Sequence, residues 1–227
     1  MTQSSPEIKA LIWDVDGVLV DTERLHWLAW RQMFTEEGKT LTLPVYQPFI
    51  GRGGGDNMRD LCAKLNVVAD REALTRRRRE IYRQLRQRGI PVIGENVALV
   101  RQFTRDFPAL IQVVASSSRQ SDIRENLAAA GLTDAFQFAV SFEDRPGLKR
   151  KPAPDLYLAA VAKIGLPAAS CLAFEDTEHG VAAAKTAGVR CVALPNALTA
   201  GQDFSAADLT IAPGIARQAK EILENFT

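Results

Sequence analysis

Four short apolar runs limit how this 227-residue chain can fold. They lie at residues 8–13 (IKALIW), 110–115 (LIQVVA), 171–174 (CLAF) and 190–194 (RCVAL). Each is too short for a core helix and too apolar for a loop, so each reads as a buried strand. A shorter run at 209–211 (LTI) reads the same way. Between them lie segments of helical spacing that stop at glycine: 121–130 before Gly131, 155–164 before Gly165, and 180–187 before Gly188. Strands alternating with helices demand a mostly parallel sheet covered on both faces. The expected fold is α/β, a Rossmann-like doubly wound parallel sheet.

Residues 22–94 break the alternation. They hold helical stretches at 23–37, 56–65 and 72–88, joined by Pro- and Gly-bearing loops, and no convincing buried strand. The region reads as an inserted α-helical domain, leaving 1–21 and 95–227 as the α/β core. Its first helix carries Leu25, Leu28, Ala29 and Met33 on one side and Trp27, Trp30 and Phe34 on another. A helix that apolar is expected to be buried broadly.

Composition removes several function classes. The formal net charge is +1, so no charge excess suggests nucleic acid or a membrane surface as partner. No stretch approaches the roughly 18 apolar residues of a membrane span. The N-terminal apolar run is broken by Asp14 and Asp16 and lacks a basic leader. Cys62, Cys171 and Cys191 form no close pair or metal-like spacing, which fits a reducing compartment. The expected setting is cytoplasmic, and the expected state a monomer.

In an open parallel sheet, ligands bind beyond the carboxyl ends of the strands. The polar residues there are therefore the informative ones. Asp14 and Asp16 follow the first run, and Gly17 next to them permits a turn. Ser116, Ser117 and Ser118 follow the second run, and Glu175 and Asp176 the third. Lys151 lies between those two ends, in KPAP. A turn or helix cap would explain one aspartate at 14–16 but not two. Two carboxylates so close are costly without a cation or proton to share. Hydroxyls, a lysine and four acids on one sheet edge suit a phosphate, its nucleophile and a divalent metal.

The stretch DVDGVLVDTE at 14–23 resembles the first motif of the haloacid dehalogenase superfamily. Ser116, Lys151 in KPAPDLY and Glu175-Asp176 in AFEDTEHG match its second, third and fourth motifs in order. The four together span nearly the whole core, and only the set is specific. Thr177 stands where serine is common, with the hydroxyl retained. The continuation DTERLHWLAW and the place of the insert are similar to the β-phosphoglucomutase-like subfamily. That resemblance implies Asp14 as the nucleophile, Asp16 as general acid and base, and Ser116 and Lys151 as phosphoryl ligands. It implies magnesium held by Asp14, the backbone carbonyl of Asp16, and Asp176, with Glu175 acting through water. Asp16 argues for chemistry at phosphorus, because the dehalogenase branch attacks carbon.

In this family the insert is a cap that closes over the site. The resemblance puts Thr22 at its hinge and makes the loop with Arg52, Gly53 and Gly54 the specificity loop; the plainer reading of that loop is a turn before a helix capped by Asp56. His26 matches a histidine on the first cap helix, and Arg78 a phosphate-binding lysine. Ser117 and Ser118 join them as candidate substrate contacts. At most two of the four arginines at 76–79 can reach one ligand. His179 reads as a surface residue at a helix start. The expected function is hydrolysis of a small phosphorylated metabolite, a sugar phosphate. A phosphosugar mutase is the alternative, disfavoured because Gly54 stands where the mutase has an arginine. A catalytically silent binding protein is a third reading, opposed by the complete set Asp14, Asp16, Ser116, Lys151 and Asp176.

Overall fold

The computed structural model describes residues 6–51, 54–215 and 218–227, and the backbone alone at 54–56. The chain divides into two compact units. One runs to Val20 and resumes with Val92–Thr227; the other is Asp21–Pro91.

The larger unit is built on a sheet of β1 (Ala10–Trp13), β2 (Ile111–Ser116), β3 (Ala139–Ser141), β4 (Cys171–Glu175), β5 (Arg190–Ala193) and β6 (Leu209–Thr210). Their order is β3-β2-β1-β4-β5-β6, and every pairing is parallel. The doubly wound α/β reading is therefore correct. Its strand bounds differ by up to two residues from the apolar runs. The strand β3 was not expected, because its three residues are too few to form a legible apolar run.

The smaller unit holds α1 (Thr22–Glu36), α2 (Leu43–Tyr46), α3 (Gly54–Lys64) and α4 (Arg71–Gln87). Asp21 and Asp70 cap α1 and α4 through their carboxylates. Helix α3 starts two residues before Asp56, so that aspartate lies within the first turn and does not precede it. The buried residues of α1 are Thr22, Leu25, Ala29, Trp30, Met33 and Phe34. They form one stripe, not two faces: Trp27 and Leu28 are only half-buried. That stripe faces α4, whose Leu74 and Ile81 are buried.

The larger unit completes with α5 (Gly94–Asp106), α6 (Gln120–Ala129), α7 (Asp155–Ile164), α8 (Glu178–Thr186) and α9 (Ala219–Glu224). Helices α5 and α9 were missed by the sequence reading, although Val97, Leu99, Val100 and Phe103 of α5 are buried. Below the strand ends, Trp13 stacks on Phe174 at 3.9 Å between ring centroids, with Phe103 edge-on at 6.0 Å. The Trp13 indole donates to Gln112 Oε1 at 3.1 Å, satisfying the one polar atom of a wholly buried ring. This aromatic layer is the floor on which the polar strand ends stand.

Candidate active site

Strand register explains why residues far apart in sequence meet. Trp13 pairs with Val114 on one side and with Phe174 on the other. The next residues along the three strands are therefore Asp14, Ala115 and Glu175, with Asp16, Ser116 and Asp176 just beyond. Asp14 is tied back to the sheet by its N–H, which donates to the Phe174 carbonyl at 3.0 Å. The turn after it is pinned: Gly17 N–H donates to Val20 O at 2.7 Å, and Asn96 Nδ2 to Val18 O at 2.7 Å.

Lys151 is the hub. Its ammonium donates to Asp14 Oδ1 at 2.5 Å and to the Ala115 carbonyl at 2.8 Å, and lies 2.6 Å from Glu175 Oε1. Its side chain is only 8% exposed, so these contacts replace water almost completely. Burial works against the ammonium, but Asp14 and Glu175 outweigh it and carry its pKa above the usual lysine value. Glu175 also accepts from the Tyr157 hydroxyl at 2.6 Å. Burial, and then the Glu175 charge, push that phenol well above its ordinary value, so it remains a donor.

Asp14, Glu175 and Asp176 are all buried, and each offers an oxygen within 4.8 Å of the others. Burial pushes the Asp14 carboxyl up to about 8; Lys151 opposes this, while Glu175 and Asp16 add to it. One ammonium is thus too little positive charge for the carboxylates around it. The donor set is all oxygen, of the kind a hard divalent cation such as magnesium takes, and the residues fit such an ion. The Asp16 side chain is not part of that cluster.

Two glycines leave room for these carboxylates. A Cβ on Gly17 would lie 2.0 Å from Asp176 Oδ2, and Gly17 has φ +86°. A Cβ on Gly180, in the first turn of α8, would lie 2.0 Å from Glu175 Oε2. Asn196 Nδ2 donates to Asp176 Oδ2 at 2.9 Å and to the Gly17 carbonyl at 3.2 Å. The Thr177 hydroxyl accepts from Gly180 N at 3.1 Å and caps α8. His179, in that first turn, is half-buried, with 29% of its side chain exposed, so it is only partly the surface residue expected.

Asp16 has a different set of partners. Its Oδ2 accepts from Ser118 Oγ at 2.6 Å and faces Ser116 Oγ at 3.4 Å. Its Oδ1 accepts from Asn126 Nδ2 at 3.0 Å. Ser117 turns the other way, and its hydroxyl accepts from Lys151 N–H at 3.3 Å. Asp14, Asp16, Ser116, Ser117, Ser118, Lys151, Glu175 and Asp176 are therefore gathered within one unit. Sequence reasoning missed Asn126, Tyr157, Gly180 and Asn196. Asn126 left a trace, a polar residue inside the apolar spacing of α6; Asn196 left none.

His26, Arg78 and Gly54 belong to the helical unit. Arg78 Nη1 lies 3.3 Å from His26 Nδ1, and its guanidinium lies over Trp30 at 4.9 Å. The His26 ring stacks on Tyr82 at 4.0 Å. Gly54 opens α3, while Arg52 and Gly53 lie outside the described residues. Of the arginine run, Arg77 pairs with Glu36 and Glu80, and Arg76 with Glu72.

A buried carboxylate paired with a lysine, an acid two residues on and an acidic pair beside it stand together at the strand ends of a Rossmann-like core. Residues 11–194 match the haloacid dehalogenase-like hydrolase family, and the chain belongs to it. It is similar to protein CbbY of Rhodobacter capsulatus, at 32% identity over 90% of this chain and 93% of that protein. At 27% it is similar to the phosphorylated carbohydrates phosphatase of Thermotoga maritima (80% and 82% covered) and the β-phosphoglucomutase of Bacillus subtilis (90% and 89%). A hydrolase of this family from Deinococcus radiodurans, solved with phosphate and sodium, shares the fold. Its TM-score is 0.78 at 22% identity, with 99% of each chain covered.

Proposed function

We propose that the chain is a magnesium-dependent phosphatase of small phosphomonoesters, in particular sugar phosphates. The observation that carries this reading is the buried Asp14 carboxylate, held by Lys151 beside Glu175 and Asp176. A phosphoryl group needs positioning and charge neutralisation more than elaborate covalent machinery. Relatives named for phosphorylated carbohydrates and phosphoglucose point to the substrate class.

In the first half-reaction a carboxylate oxygen of Asp14 attacks phosphorus, and the bond from phosphorus to the ester oxygen breaks. Asp16 gives its proton to that departing oxygen. The phosphoryl group is then carried on Asp14. In the second half-reaction Asp16, now a carboxylate, takes a proton from water as the water attacks phosphorus. Asp14 leaves as a carboxylate and inorganic phosphate is released. Ser116 and Lys151 donate to the phosphoryl oxygens, and Lys151 also holds Asp14. Asp14, Asp176 and the backbone carbonyl of Asp16 would hold the magnesium, with Glu175 acting through water. When bound, the ion supplies positive charge against the phosphoryl oxygens and the crowded carboxylates. For the helical unit we propose a part in substrate choice, with His26, Arg52, Gly53, Gly54 and Arg78 as candidates, on sequence resemblance alone.

The alternative is a phosphosugar mutase, favoured by the likeness to β-phosphoglucomutase. A mutase must hold two phosphate groups at once. Glycine at position 54 removes a bidentate cationic donor from the expected second site. The test follows phosphate release and isomerisation of glucose 1-phosphate together, with and without a bisphosphate primer. Phosphate release without net isomerisation is expected, from this or another sugar monophosphate in a panel. Primer-dependent isomerisation faster than phosphate release overturns the phosphatase reading.

A further inference from the structure

Helix α6 packs on the sheet through Ile123 and Leu127, and the position between them on its inner face is Asn126. Asn126 is 0% exposed. An amide buried so completely costs free energy unless its polar atoms are satisfied, and an apolar side chain would serve packing alone better. Its Nδ2 donates to a catalytic candidate, Asp16 Oδ1, at 3.0 Å. That contact spans 110 residues of sequence, so it is a product of the tertiary fold and not of a local turn.

We infer that Asn126 is the positioning residue of Asp16: its buried amide fixes the plane of the carboxyl that exchanges protons with the leaving group and with water. This rests on the acid and base role proposed for Asp16. An amide N–H can only donate, so Asn126 engages Asp16 Oδ1 through that oxygen's lone pairs. Asp16 Oδ2 accepts from the Ser118 hydroxyl at 2.6 Å, so the carboxyl is held at both of its oxygens. Ser118 is itself held, because its carbonyl accepts from Ser141 Oγ at 2.7 Å on β3. Asn126 and the serines therefore pin the two oxygens from opposite sides, and rotation of the carboxyl group costs at least one of these bonds. Asn126 touches none of the reacting atoms and acts only through Asp16.

The experiment uses leaving groups of different basicity. The probes are 4-nitrophenyl phosphate, whose leaving group departs without a proton, and phenyl phosphate, whose leaving group needs one. The ratio kcat/KM covers the steps up to departure of the leaving group, so it isolates the proton donation. Asn126→Leu is expected to lower kcat/KM for phenyl phosphate by about tenfold or more, a fraction of a general acid's usual contribution. For 4-nitrophenyl phosphate it should stay within about threefold. Asn126→Ala, with a smaller packing change, should show the same selectivity if the leucine variant does not fold. A purely structural residue would lower both substrates equally, and that result overturns the inference. Asp16→Asn separates the two levels. If it too is indifferent to the leaving group, the acid role of Asp16 falls, and the inference with it. If it is selective while the Asn126 variants are not, only the Asn126 inference falls. In the Asp16→Asn background, Asn126→Ala should add no further selectivity; an additive loss also overturns the inference.

Discussion

The core and the helical unit both pair carboxylates with cationic side chains, in opposite surroundings. In the core, Lys151 bridges Asp14 at 2.5 Å and Glu175 at 2.6 Å, and all three side chains are almost wholly buried. On α4, Arg76 and Arg77 lie 68% and 38% exposed, and pair with glutamates that are themselves solvated. Ion pairs of the second kind are screened by water and contribute little. Pairs of the first kind are strongly coupled, and removing one partner leaves the other charged and dry. Charge by itself therefore says little about function here; desolvation separates the two regions. Arg78 lies between the extremes, half-buried over Trp30, and burial lowers its pKa from the usual value.

The largest expected effect breaks the core side of this contrast. Asp14→Asn keeps the shape and removes the attacking charge, and turnover of any phosphomonoester should fall about 10⁴-fold or more. A steady-state assay on protein checked by mass for deamidation back to aspartate reads this. Near-normal turnover would refute the nucleophile assignment.

Metal removal comes next. The three clustered carboxylates repel one another without a cation, so excess chelator should abolish activity and magnesium restore it. Calorimetry should show weaker magnesium binding by Asp176→Ala, whose circular dichroism should stay native. Full activity in verified metal-free protein would remove the metal from the reading.

Gly180→Ala sharpens the contrast further. In an exposed helix the change from glycine to alanine usually stabilises by about 1 kcal/mol. Here the new Cβ would meet the Glu175 carboxylate at 2.0 Å, and that carboxylate is already held by Lys151 and Tyr157. The melting temperature is expected to fall, and activity to drop about tenfold or more as Glu175 is displaced. A raised melting temperature with unchanged activity would show that Glu175 has room to move.

The smallest effects belong to α4. Arg77→Ala should leave turnover unchanged and melting almost unchanged, since both partners stay solvated. Arg78→Ala should lower the melting temperature more than Arg77→Ala, through the lost stacking on Trp30 and its buried stem. If the two variants melt alike, burial does not distinguish arginines on this helix.

Much of this was legible before any coordinates. Short apolar runs between segments of helical spacing announce strands, because a strand buried on both faces has few polar positions to spare. The polar residues at their ends stand out for the same reason. Helix α7 was read to the residue, Asp155–Ile164, since Gly165 adopts the left-handed conformation that ends it. The strand β3 was not legible, because three residues give no period. The burial of α1 was overread, because a run of tryptophans and leucines does not say which of them meet α4.

By itself the sequence determined the class of fold, the places of five of the six strands, and which residue types stand at the strand ends. It did so because burial and backbone conformation constrain single residues and their near neighbours. The tertiary structure decided which of those residues touch. Whether Lys151 would bridge Asp14 and Glu175, and whether Asn126 would reach Asp16, depends on strand register and on the approach of a helix to a sheet. Those contacts join residues more than 100 positions apart in the cases of Asp14 with Lys151 and Asp16 with Asn126. No local pattern records them, because hydrogen bonds and desolvation act between atoms brought together only after the chain has closed on itself.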